Sequence, residues 1–126
     1  MKLQFFLGYL SVLLFFSACY SPTRECDNFK VGTFTFDYEI EGEKKSGSFT
    51  RTDTHSVEFY DSKTDSATVR WINDCEFVLR PLDNRAAIHY KIIATTENSY
   101  TFEYKRAVKD PKKKLIVKRG TAFKTE

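Results

Sequence analysis

Helical periodicity is almost absent from this chain: no segment of helix length has apolar side chains recurring at a 3.6-residue spacing, so a helix is expected only as a minor one around Asp83 to Ala87. Reaction motifs are missing as well. No serine stands in Gly-x-Ser-x-Gly, no glycine-rich loop leads into a helix, and no carboxylate pair stands at metal-ligand spacing. Histidine is scarce, and His55 and His89 both fall on the polar phase of alternating segments, where a side chain faces solvent rather than a metal or a substrate. Neither sign of charge dominates, with 20 basic and 17 acidic residues, which argues against a nucleic-acid binder and against an acidic solvating tail. The composition implies no cofactor and no metal.

Long hydrophobic stretches are confined to the first eighteen residues. After Lys2, Phe5 to Phe16 carries no charge, yet the stretch falls short of the ~20 apolar residues that span a bilayer, and residues 1–18 read as an export signal. Phe16-Ser17-Ala18-Cys19 resembles the lipobox of bacterial lipoproteins, with Phe16 where that family usually has Leu. The resemblance implies a thioether-linked diacylglycerol on Cys19, cleavage ahead of it, and a further acyl chain such as palmitate on the new amino terminus. It also implies a lipid-anchored place in the cell envelope, and Tyr20 after the cysteine, where aspartate would signal inner-membrane retention, points to the outer membrane. The competing reading is an ordinary secretory cut after Cys19, which would place Ser17 and Cys19 at the small-residue positions. Residues 19–29 are then a tether and residues 30–126 a single domain.

Cysteine is rare after Cys19, with only Cys26 and Cys75 remaining. An even number in an exported chain reads as a disulfide, and closing a loop of this length stabilises by about 4 kcal/mol in the chain-entropy model. Two buried free thiols are the other reading.

What is present is alternation with a period of two. Phe34, Phe36, Tyr38 and Ile40 interleave with Thr33, Thr35, Asp37 and Glu39, as in a strand with one face buried. Ser46 to Arg51 supplies a second strand. Val57 and Phe59 share one face of a third, Val69 and Trp71 of a fourth, and Phe77 and Leu79 of a fifth. Ile88, Tyr90 and Ile92 mark a sixth, and Tyr100, Phe102 and Tyr104 a seventh. Leu115, Val117 and Phe123 mark an eighth run with a bulge or bend expected at Gly120. Turn signals at 41–43 and 52–54, a longer one at 61–65 and another at 95–99 join antiparallel neighbours. The expected fold is all-β, an antiparallel meander of about eight strands curled into a barrel or half-barrel, with a two-sheet sandwich as the alternative. Gly32-Thr33-Phe34 resembles the glycine-x-aromatic opening of lipocalin-like barrels, in shape only.

The basic residues between Lys105 and Arg119 surround Asp110-Pro111 and read as a solvated turn with a basic rim. Three blocks, Phe49-Thr50-Arg51-Thr52-Asp53, Arg70 to Phe77 and Ser99 to Tyr104, resemble a family of short bacterial lipoproteins whose members often carry the label DNA topoisomerase IV. A topoisomerase subunit needs several hundred residues with a DNA gate or an ATPase domain, and an exported chain does not meet the chromosome. The resemblance therefore implies a lipoprotein of unknown role and supplies no catalytic residue.

The residues singled out for contact with a ligand or partner are Trp71, Arg70, Arg51 and Tyr100. Trp71 is expected in the core beside the disulfide, the competing view placing it at a binding rim. The expected function is a non-enzymatic, membrane-anchored module that binds a small apolar ligand or an envelope protein. A small hydrolase or isomerase with a site assembled from scattered strand residues is the alternative.

Overall fold

A computed structural model describes residues 24–126; the signal, Cys19 and the tether up to residue 23 lie outside the described residues. Eight antiparallel strands run in chain order: β1 (Gly32–Ile40), β2 (Glu43–Arg51), β3 (His55–Tyr60), β4 (Lys63–Asn73), β5 (Glu76–Pro81), β6 (Ile88–Thr95), β7 (Ser99–Arg106) and β8 (Lys118–Lys124). Each pairs with the next, and β1 pairs with β8 through Phe34↔Lys124, Thr35↔Phe123 and Phe36↔Ala122, so the meander closes into a barrel and not a sandwich. Closure leaves no free sheet edge, which removes the template for edge-to-edge aggregation.

The folded unit begins earlier than residue 30. A 3-10 helix, Cys26–Phe29, is drawn across one end of the barrel with Cys26 and Phe29 buried. Cys26 is disulfide-bonded to Cys75, Cα–Cα 5.3 Å. Cys75 sits in the tight β4–β5 turn, where the Asn73 side-chain oxygen accepts a hydrogen bond from the Cys75 amide at 2.9 Å, so Asn73-Asp74 delivers the cysteine to its partner. The plug is fastened further by Arg24 donating to the Ile92 carbonyl (3.1 Å), the Glu25 amide to Thr95 Oγ1 (3.0 Å) and Lys124 Nζ to the Asn28 carbonyl (2.7 Å).

At the opposite end the barrel is open. The β1–β2 turn uses Glu41 and Gly42 and the β3–β4 turn uses Asp61 and Ser62, all with positive φ, the conformation that matches the twist of two-residue hairpins. The expected longer turn at 61–65 thus contracts to two residues, and β4 starts at Lys63. Residues 82–85 form bends and 86–87 are irregular, in place of the expected short helix, and the β7–β8 connection spans 107–117.

Two strands depart from the expected facing. On β3 the register Phe49↔Glu58 and Ser48↔Phe59 turns Glu58 inward with Phe49 and Phe59 outward, where it is 47% exposed. On β8 the inward residues are Gly120 and Ala122, paired with Phe102 and Tyr100, while Phe123 is exposed. Leu115 and Val117 belong to the exposed connection and not to a strand. Gly120 is not a bulge either: the ladder runs through it unbroken, and the Phe102 ring occupies the space a side chain there would need.

Candidate functional site

The inward faces of β1, β5, β6 and β7 carry the aromatic residues that the alternation indicated, and these rings line the barrel wall from floor to mouth. Phe34 stacks on Phe49 (centroids 4.8 Å), Phe77 on Tyr90 (5.0 Å) and Tyr90 on Tyr104 (5.5 Å), while Tyr38 meets Tyr60 edge-on at 6.2 Å. Above this floor lies a cavity of about 470 Å³, bounded by Phe36, Tyr38, Phe49, Glu58, Tyr90 and Tyr104 among others. A smaller void of about 160 Å³ adjoins it toward Tyr60, Asp65 and Arg85, and both touch Ser56, Glu58 and Tyr90.

The floor is organised by Arg51. It follows Phe49 on the same face of β2 and is 2% exposed. Its Nε donates to the Lys30 carbonyl at 2.9 Å, one terminal nitrogen donates to the Phe29 carbonyl and the other to the Tyr100 hydroxyl at 3.2 Å. The rings of Phe34, Phe49, Trp71, Phe77 and Tyr100 surround the guanidinium, their centroids between 4.6 and 5.7 Å from its carbon. No carboxylate among the described residues pairs with it. Two carbonyls at the end of the plug and a cage of ring faces therefore take the place of a counter-ion, because each presents negative density to the buried cation.

Of the four residues singled out for contact, Arg51, Tyr100 and Trp71 meet at this floor. Trp71 is only partly buried there; it packs 4.6 Å from Phe77, and Lys30 Nζ lies 5.1 Å from its ring centroid. Arg70 does not join them. Alternation sends it to the outer face of β4, where it borders an external groove with Val78, Arg80, His89 and Lys105. His89 lies on that same outer face, 3.3 Å from Glu76, and His55 is exposed beside Thr54.

Sequence reasoning missed Glu58 and Tyr90 as site residues. Glu58 stands in the wall between Phe49 on β2 and Asp65 on β4. Burial pushes the Glu58 carboxyl above the ordinary carboxylate range, and the charge of Asp65 adds to this while Arg85 opposes it. Asp65 behaves oppositely: a 2.6 Å hydrogen bond from the Tyr60 hydroxyl holds its carboxyl low, with Arg85 at 3.1 Å adding to the effect. Burial raises the Tyr90 hydroxyl so far that it stays protonated. The signal available in the sequence was phase: Glu58 lies two residues from Ser56 and from Tyr60, but all three read as polar or ambiguous until the register is known.

Among the described residues no group of three His, Cys, Asp or Glu side chains gathers to hold a metal. The barrel offers an interior lined by aromatic rings, with the Glu58 carboxyl in its wall, the neutral Tyr90 phenol beside it, and Asp37, Glu39 and Arg119 on its border, an arrangement suited to holding a molecule. Comparison with protein-family models, with curated proteins and with solved structures finds no match.

Proposed function

We propose that this protein is an envelope lipoprotein, anchored through Cys19, whose barrel acts as a non-enzymatic module that takes a small, largely apolar molecule into its interior. The observation that carries this reading is the cavity of about 470 Å³, walled by aromatic rings, open at the turn end and stoppered at the other by the Cys26–Phe29 plug. Eight-stranded barrels are wide enough to hold one small ligand, and sites for small molecules are concave, mostly apolar and marked by a few polar groups. The anchoring half of the reading is supported by the short uncharged run that ends on Phe16-Ser17-Ala18-Cys19. The chain enters the barrel at its plugged end, so a lipid on Cys19 would leave the mouth facing away from the bilayer.

Two measurements test the reading. Native mass spectrometry of the protein extracted from its own membranes is expected to show a retained molecule that organic extraction removes. A mass equal to the lipidated chain alone, with no binding from a panel of small apolar compounds, overturns the ligand role. Cys19→Ser is expected to release the protein from the membrane fraction, since stable anchoring requires more than one lipid chain, and full membrane retention of that variant overturns the anchor.

A further inference from the structure

The cavity wall contains a carboxyl with no partner. Glu58 takes part in no ion pair and accepts no hydrogen bond among the described residues, although every neighbouring charged group is engaged. Asp65, opposite Glu58 on β4, is bound by Tyr60 at 2.6 Å and by Arg85 at 3.1 Å. Arg85 in turn is held by Asp83 at 2.8 Å. Arg85 and Asp83 are exposed at the outer end of this chain of contacts, so Glu58 is the carboxyl left without a protein partner on this side of the cavity. On the floor, Arg51, which borders the cavity, donates from Nε and from each terminal nitrogen to the plug carbonyls and Tyr100, and rings lie over its guanidinium.

We propose that the cavity takes a small organic cation, an amine carried on a planar or otherwise apolar body, with its ammonium group against Glu58. This rests on the reading of the barrel as a ligand-binding module. An apolar body alone would be satisfied by the aromatic walls and leave Glu58 unpaired. An anion would meet the unpaired charge of Glu58 in a partly buried wall, where like charges repel more strongly than in water. A cation supplies the missing partner, and the Tyr38 ring, which borders the same cavity, adds its quadrupole. Burial first and the charge of Asp65 second hold the Glu58 carboxyl above its ordinary range, and an ammonium beside it would oppose both.

The test compares three probes of one shape by isothermal titration calorimetry at neutral pH: 2-(aminomethyl)naphthalene, 2-naphthalenemethanol and 2-naphthoate. The amine is expected to bind the unaltered protein at least tenfold more tightly than the alcohol, and the carboxylate more weakly than both. Glu58→Gln, which keeps shape and removes charge, is expected to bring amine and alcohol to within twofold of each other. Equal binding of amine and alcohol by the unaltered protein overturns the cation assignment and leaves the ligand-binding reading standing. Binding by none of the three overturns both. The comparison within the unaltered protein decides the matter even where the variant folds poorly.

Discussion

Arg51→Met puts the organisation of the barrel floor to its hardest test. Methionine fills much of the same space, so the variant removes the donors and the charge without opening a large cavity. It leaves the Phe29 and Lys30 carbonyls and the Tyr100 hydroxyl without their partner in a buried or partly buried region. Each buried group left unsatisfied costs about 1–3 kcal/mol, and the relief of no longer burying a charge offsets part of the sum, so the net loss is expected at about 3–5 kcal/mol. Against a total stability of about 5–15 kcal/mol this is a large fraction, and for a domain near a hundred residues it lowers Tm by roughly 12–20 °C. Urea denaturation followed by circular dichroism measures the loss, and hydrogen exchange should show the plug opening before the barrel does. Arg51→Lys, which keeps the charge but cannot reach all three acceptors at once, is expected to fall between the two. A loss under about 1 kcal/mol in Arg51→Met would mean that the plug carbonyls find other partners, and the account of the floor given above would be wrong.

Cys26→Ala and Cys75→Ala are each expected to cost about 4 kcal/mol, with the double variant no worse than either single, because both remove the same 49-residue closure; additive losses in thermal unfolding would contradict this. Glu58→Gln should match the unaltered protein in stability at acid pH and exceed it at neutral pH. The folded Glu58 carboxyl titrates above its unfolded value, so its stabilising contribution is complete below the unfolded value and is lost as pH rises through the folded one; a stability difference independent of pH would refute the assignment. Gly120→Ala brings a methyl carbon within 2.8 Å of the Phe102 ring and is expected to destabilise by about 1–3 kcal/mol, with Phe102→Leu recovering part of the loss in the same background; a neutral result in chemical denaturation would show that the ring moves aside freely.

The fold was legible wherever apolar side chains alternate strongly, as in Phe34, Phe36 and Tyr38 or Tyr100, Phe102 and Tyr104, because period two belongs to strands alone. It was illegible on β3, where Ser56 and Glu58 face inward and Phe59 outward. Hydrophobicity there reports the wrong face, and only pairing with β2 fixes the phase. Near the end of the chain, Leu115 and Val117 looked like a strand because they alternate, yet no neighbour pairs with them and they stay exposed. The site divides along the same line. Arg51 shares its phase with Phe49 and Arg70 opposes that of Val69 and Trp71, so alternation alone separates the inward arginine from the outward one. That Arg51 would bind the end of a plug helix needed the path of residues 26–30, which carries no periodic pattern.

The disulfide also fixes where a mechanical load would enter the molecule. Cys26 is the first residue of the plug, so a pull on the chain ahead of residue 24 arrives there before it reaches Phe29 or β1. The covalent bond diverts that tension to the β4–β5 turn, and from there into ladders on both sides of two neighbouring strands. Reduction of the bond would leave the force to the hydrogen bonds of Arg24, Glu25, Asn28 and Arg51 and to the packing of Phe29, so the force needed to unravel the domain by its amino-terminal end depends on the redox state around it.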